Sequence, residues 1–256
     1  MRILNISAQK PDSTGSGTYL SALVRAQLAA GHEPAVLCGA APGDTQGDIP
    51  PGVPVFTVDF ETSALPFKIC IKKGVESLVR ALGRLSPQAA SVVELTLVGG
   101  HGDETELESI RRASAQAPCP VEFAGRLPRD ELVRAYRSSE VFVLPSFFEG
   151  LPLVSIEAIA CGCKVVMTDL PGVRLWMEAV LPQAPVTWVA PPAMLDVDTP
   201  DPAALPAFER RLARAVEEAL AAATPVCDPS GVSWDACSAR ILEVARTLKG
   251  GCHGTR

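Results

Sequence analysis

Apolar and polar positions along the chain fall into short blocks that alternate between two periods. Residues 2–7, RILNIS, read as a strand; residues 16–31, SGTYLSALVRAQLAAG, repeat apolar positions at helical spacing and stop at Gly31; residues 34–38, PAVLC, are strand-like again. That order predicts a βαβ unit. A turn-rich stretch, GAAPGDTQGDIPPGVP at 39–54, leads to one more strand candidate, VFTVDF at 55–60. By residue 67 the chain has offered only about three strands and one helix. A doubly wound domain needs several more βα repeats to cover both faces of its sheet, so the N-terminal part is short of one.

From residue 68 the alternation becomes regular. A basic turn, KICIKKG at 68–74, precedes an amphipathic helix at 75–85, a strand at 92–100 and a polar helix at 103–115. Then follow a strand at 120–125, a helix at 129–139, a strand at 141–146, a helix at about 152–161 and strands at 164–169 and 184–190. Strands alternating with helices over this length predict a parallel sheet with helices on both faces, a Rossmann-like α/β domain. Two helices close the chain, Pro202 to Ala223 and one capped by Ser233 with Trp234, Cys237, Ile241, Val244 and Leu248 along one stripe.

Composition narrows the function classes. A chain of 256 residues, 47% apolar and 20% charged, can bury one sizeable core or two modest ones. Its net charge of -6, with both signs interspersed, gives no basic face for nucleic acid. No stretch approaches the roughly 18 apolar residues of a membrane span, and the first ten residues are too polar for a signal peptide, so no transmembrane segment and a cytoplasmic location are expected. The eight cysteines are scattered through apolar segments and read as reduced core thiols; Cys161 and Cys163 have the wrong spacing for a CxxC motif. Three histidines, none at ligand spacing from another, predict no structural metal.

Two places carry candidate chemistry. Gly15 and Gly17 lie in a Gly/Ser/Pro loop at a helix N-terminus, where backbone N–H groups and the helix dipole favour an anion. Without the third glycine of the dinucleotide fingerprint, a tight turn is the plainer alternative. The second place is SFFEGLPLVSIEAIACG at 146–162, with Glu149 and Glu157 as the charged residues of an otherwise apolar or small run. Pro152 suits the first helical position and Gly162 the residue past the end, which puts Glu149 in the strand-to-helix loop, where open α/β sheets bind ligands. Glu157 falls inside the helix, and a carboxylate there needs donors, either sugar or ribose hydroxyls or a core Arg or Lys.

The segment PSFFEGLPLVSIEAIACG resembles the signature of family-four (group 1) retaining glycosyltransferases of the GT-B fold, in which two glutamates separated by seven residues follow a PS strand end and precede EA and Gly. Glu149 and Glu157 have that spacing, with matches at Pro145, Ser146, Gly150, Ala158 and Gly162. The family's basic residue followed by KG fits Lys68 and Lys73-Gly74, with Phe67 in place of the Gly before it. AGRLPRDELVRAYRSSEVFVLPS is similar to its nucleotide-base segment, and STGSGTYLSALVRAQLAAGHE to its first glycine loop and helix.

The resemblance implies a nucleotide-diphosphate sugar donor and metal-independent, cofactor-free transfer with retention of configuration. Lys68 and Lys73 would neutralise the leaving diphosphate, joined by the backbone N–H groups of Gly150 and Leu151. Glu157 would accept ribose hydroxyls, Glu149 would hold the donor-sugar hydroxyls near the reacting face, and Arg126 and Leu127 would border the base. Gly15 and Gly17 would close over the phosphates. The resemblance also implies a division into a truncated N-terminal Rossmann-like portion (1–62), a near-complete nucleotide-sugar-binding Rossmann-like domain (63–225) and a C-terminal helix and tail (226–256). The acceptor, whether glycan, lipid or small molecule, is not read from the sequence. With much of the N-terminal domain missing, two expectations stand: a transferase impaired by that loss, or a non-catalytic nucleotide-sugar binding module. Another GT-B enzyme, such as a nucleotide-sugar epimerase, is a third.

Overall fold

In a computed structural model of the chain, residues 1–7, 15–39, 47–58, 73–100, 104–224 and 227–251 are described. The chain separates into two compact units, one formed by Met1–Pro66 with Ser230–Arg256, the other by Phe67–Pro229.

In the first unit, β1 (Arg2–Ser7), β2 (Glu33–Gly39) and β3 (Val55–Val58) form a parallel sheet in the order β1-β2-β3. Helix α1 (Gly15–Ala29) places Leu20 and Val24 against Val36, Cys38, Ile49 and Val53, a closed apolar cluster. Alternation along β1 turns Asn5 into this layer, where a bare amide would be costly. Gln27 of α1 resolves it: the two side-chain amides exchange hydrogen bonds of 2.9 and 3.1 Å.

Helix α9 (Trp234–Gly251) packs on α1 in this unit, with the Tyr19 and Trp234 rings edge to face at 5.1 Å and Ser233 capping the Ala236 N–H. Its buried face differs from the expected stripe. Ser238 and Leu242 are buried, whereas Ile241 and Val244 are exposed. Ser238 and Leu242, at i+4 and i+8 from Trp234, line the buried side together with half-buried Cys237, whose Sγ lies 3.6 Å from the Tyr19 hydroxyl, while Ile241 turns to solvent; the Leu248 side chain lies outside the described residues.

The second unit alternates as the sequence predicts: α2 (Val75–Leu82), α3 (Pro87–Ala90), β4 (Leu95–Val98), α4 (Glu104–Ser114), β5 (Val121–Gly125), α5 (Arg129–Ser138), β6 (Val141–Leu144), α6 (Leu153–Ala160), β7 (Lys164–Thr168), α7 (Val173–Val180), β8 (Val186–Val189), the short strands β9 (Met194–Asp196) and β10 (Thr199–Pro200), and α8 (Leu205–Ala221). β4 pairs in parallel with β5, and β6, β7 and β8 form a second parallel set. Every residue of β7 is buried, as expected for a central strand covered on both faces.

Helix α8 supplies the largest part of the core: Phe208, Leu212, Ala215, Val216 and Ala219 meet Leu78, Ala81, Phe147, Val166 and Val189. Its C-terminal end is tied down by Lys164, a buried ammonium that donates to Glu140 Oε1 (2.7 Å) and to the Ala222 carbonyl (2.8 Å). Arg84 donates to the buried Glu209 of the same helix at 2.6 Å.

Three details differ from the sequence expectation. Pro152 occupies the cap position of α6 rather than its first turn. The helix expected from Pro202 begins as a single 3-10 turn, Pro202–Ala204, capped by Asp201, before α8 proper. Helices α3 and α7 and the β9–β10 pair are not predicted by the sequence, because α3 buries none of its residues, α7 only Val173 and Met177, and each of these strands is three residues or fewer.

The fully buried Phe208 ring, tilted 58° against Phe147 with centroids 5.5 Å apart, ties α8 to the loop that follows β6. Truncation Phe208→Ala is expected to cost about 3–5 kcal/mol. Urea unfolding followed by tryptophan fluorescence checks this; a loss under about 1 kcal/mol would show that the core closes without the ring.

Candidate functional site

The loop after β6 is shaped by which of its side chains are buried. Ser146 and Phe147 point inward, 1% and 4% exposed, while Phe148 and Leu151 are turned out at 45% and 46%. Fixed between these anchors, Glu149 is held with its side chain only 10% exposed.

Its partner comes from a turn far away in sequence. Gly74 caps α2 in the left-handed region at φ 65°, a conformation that disfavours any residue with a Cβ. A Cβ at this position would also run into the Pro145 carbonyl, approaching its carbon to 2.9 Å. Only glycine therefore allows the Lys73-Gly74 turn to press against the end of the β6 loop. That approach delivers the Lys73 ammonium to Glu149 Oε1 at 2.7 Å, with the lysine side chain 16% exposed. Ser146 Oγ donates to the same oxygen, also at 2.7 Å.

Glu157 lies on α6, but on its exposed side rather than among the apolar residues around it. Its carboxyl is nonetheless held above the usual carboxylate range, chiefly by loss of hydration, opposed by the positive charge of Arg129 and a hydrogen bond from Tyr136. The Tyr136 ring is buried against Phe142, edge to face at 5.6 Å, and its backbone carbonyl accepts from Cys163 Sγ at 3.0 Å. Burial first, then the Glu157 charge, pushes the Tyr136 phenol up from its ordinary value, so it stays a hydrogen-bond donor at neutral pH.

The remaining expected residues are placed less uniformly. Gly150 and Leu151 are exposed in the turn leading to Pro152 and α6. Arg126 and Leu127 follow β5; Arg126 is exposed and its guanidinium lies over Gly100 at the end of β4, where a Cβ would come within 2.5 Å of Nε. The Gly99 N–H donates to the Gly125 carbonyl at 2.8 Å and joins these two strand ends. Lys68 is outside the described residues. Gly15 opens α1 and Gly17 lies in its first turn, both in the other unit.

The structure thus brings Lys73 to Glu149 directly and sets Gly150 and Leu151 in the same loop. Sequence reasoning did not single out Ser146 as a partner of Glu149, nor Tyr136 and Arg129 as neighbours of Glu157. The Ser146–Glu149 spacing of three was a usable signal, since a hydroxyl three residues from a carboxylate commonly meets it across a turn. A cavity of about 460 Å³ lined by Arg80, Arg84, Arg112 and Glu209 includes none of these residues and is crossed by the Arg84–Glu209 pair. Among the described residues no group of three His, Cys, Asp or Glu side chains is placed to hold a metal ion, and no helix is long and apolar enough to cross a membrane.

What such an arrangement can do chemically is hold an anion and a polyol side by side. The ammonium and the N–H groups ahead of α6 suit phosphate, and the carboxylates suit hydroxyl donors.

Comparison with known proteins gives a concordant picture. Residues 67–191 match the profile of the family described as glycosyl transferases group 1. The chain is similar to the D-inositol 3-phosphate glycosyltransferase of Corynebacterium jeikeium, 32% identical over 129 residues, which is 47% of this chain and 30% of that protein. It is also similar to the alpha-maltose-1-phosphate synthase of Mycolicibacterium smegmatis, 34% identical over 111 residues, 41% of this chain and 28% of that one. The matched part spans less than a third of the length of these curated relatives. Among solved structures, the sucrose-phosphate synthase of Thermosynechococcus elongatus superposes with a TM-score of 0.56 at 16% identity, covering 98% of this chain and 100% of that one. The fold class is accordingly GT-B-like α/β.

The raised Glu157 pKa has a consequence for stability. A folded state that holds this proton more tightly than the unfolded chain gains from it at low pH, and the gain is lost as pH rises from the ordinary carboxylate range through the raised value. Glu157→Gln removes the titration. Its stability relative to the parent is expected to rise as pH increases from the ordinary carboxylate range through the raised value, read from urea midpoints. A difference that stays flat with pH, or falls, would contradict the desolvated environment.

Proposed function

From a chain whose residues 67–191 match the profile of the group 1 glycosyltransferases, we propose a nucleotide-sugar-dependent transferase whose donor contacts lie around the Lys73–Glu149 pair. The observation that carries this reading is the convergence, in the loop after β6, of a shielded ammonium, a shielded carboxylate and the turn that starts α6.

In this reading the donor diphosphate lies against Lys73 and the backbone N–H groups of Gly150 and Leu151, with Lys68 as a second cation. Glu149 accepts from hydroxyls of the donor sugar, Glu157 from the ribose, and Arg126 and Leu127 border the base. During transfer the bond between the anomeric carbon and the phosphate oxygen breaks, and its electron pair leaves on the diphosphate. An acceptor hydroxyl oxygen forms the new bond and its proton passes to the departing phosphate. Fixed positive charge at the leaving group stabilises the developing dianion without reorganisation, and a site shielded from water strengthens the effect. Retention of configuration at the anomeric carbon, with no metal required, is part of the proposal.

A second reading is favoured by one observation, that Lys73, Glu149 and Glu157 all lie inside the matched span 67–191: a nucleotide-sugar binding module without turnover. Both readings share the donor site, so binding tests that site and acceptor-dependent release of nucleoside diphosphate separates them.

Calorimetric titration with UDP, GDP and ADP is expected to give saturable binding to one of them. Lys73→Ala and Glu157→Ala should each weaken that binding by about tenfold or more, the loss of one charge-assisted contact, while circular dichroism stays unchanged. A folded parent chain that binds none of the three would remove the donor site from the account.

A further inference from the structure

The Glu149 carboxylate has two oxygens, and the structure uses them unequally. Both of its closest donors, Lys73 Nζ and Ser146 Oγ, come to Oε1, each at 2.7 Å. A carboxylate offers about four lone-pair positions, two on each oxygen, so two donors at hydrogen-bond distance fill the acceptor capacity of Oε1. The remaining capacity lies on Oε2. The side chain as a whole is only 10% exposed, so little of the carboxylate is in contact with bulk water.

We infer that Ser146 is a positioning residue: its hydroxyl fixes the plane of the Glu149 carboxylate and commits Oε1, so that Oε2 receives the hydroxyls of the donor sugar. The inference rests on the donor-site reading above and goes beyond it by assigning Ser146 a part in distinguishing sugar-bearing from sugar-free nucleotide. Lys73 alone does not supply this control. An ammonium on a flexible four-carbon stem can follow a rotating carboxylate, and in the proposed reading it also turns to the diphosphate. Ser146 has no such freedom. It is 1% exposed, its neighbour Phe147 is locked in the core against Phe208, and its preceding residue Pro145 is pressed against Gly74. Its short side chain therefore holds one oxygen of Glu149 whether or not Lys73 has moved.

A local hydrogen bond between residues three apart is also a common way to stiffen a turn. The two roles separate in what they do to ligands. A residue that only stiffens the loop affects nucleotide and nucleotide sugar alike, because Gly150 and Leu151 of the same loop are proposed to meet the diphosphate. A residue that aims Oε2 affects only the ligand that carries a sugar.

The experiment compares UDP with UDP-glucose, GDP with GDP-mannose and ADP with ADP-glucose on the full chain by calorimetry, using the pair whose nucleotide binds. Ser146→Ala is expected to leave the nucleoside diphosphate affinity within about twofold of the parent and to weaken the nucleotide sugar about tenfold, the loss of one hydrogen bond to a charged group. Ser146→Thr, which restores the hydroxyl, is expected to recover most of that difference. Equal loss for both ligands in Ser146→Ala, or no loss for either, overturns the inference while leaving the donor site standing. No binding of any nucleotide by the parent chain overturns the donor site itself and this inference with it. If Ser146→Ala does not fold, the ratio of the two affinities in Ser146→Thr and Ser146→Cys decides: an unchanged ratio in both overturns the role.

Discussion

The site depends on one close approach, that of the Lys73-Gly74 turn to the Pro145 carbonyl. Gly74 stands at positive φ with no room for a Cβ, so any other residue would push the turn off the loop. With the turn in place, a lysine and a glutamate far apart in sequence meet at 2.7 Å in surroundings that exclude most water. Each offsets the other's loss of hydration. Removing either partner takes from the other its opposite charge at 2.7 Å, which makes the pair sensitive to single changes.

The core is arranged to keep that approach in register. Phe147 of the loop is buried against Phe208 of α8, and Leu78 of α2 joins the same cluster. Loop and turn are thus both anchored in one apolar layer, and the layer is closed by α8, whose far end Lys164 ties to the start of β7. Glu157 follows a different logic. It stands on the exposed side of α6 with a desolvated carboxyl, opposed by Arg129 and Tyr136. A carboxyl with a raised pKa and partial access to solvent is held at some cost to stability, which ligand hydroxyls would offset.

Much of this could be read from the residues alone. Apart from the short helices α3 and α7, the alternation of strand and helix from residue 75 to the end of β8 follows the apolar pattern, most clearly at the fully buried β7, a short and largely apolar run bounded by turn residues. Glu149 in a strand-to-helix loop followed from Pro152 and Gly162 as helix punctuation. The partner of Glu149 was not legible as an ion pair, since it depends on a turn meeting a loop across the domain. Ser146 was overlooked because its burial is set by Phe147 and Phe208, a contact with α8 that no local pattern announces. The α9 stripe departs from the apolar pattern in its later turns: Trp234 and Cys237 meet Tyr19 as the pattern suggests, but Ser238 and Leu242 are buried in place of Ile241 and Val244, and a buried serine is announced by no apolar periodicity.

The central claim is that nucleotide phosphates settle where Lys73 meets the loop before α6. It is tested most directly by amide chemical-shift perturbation in the isotopically labelled chain on adding the nucleoside diphosphate that binds. The account expects the largest shifts at Gly74, Gly150 and Leu151, with smaller ones at Arg126 and Glu157, and none at the Arg84–Glu209 cavity. Shifts centred on that arginine-lined cavity, or spread without focus over the surface, would contradict it.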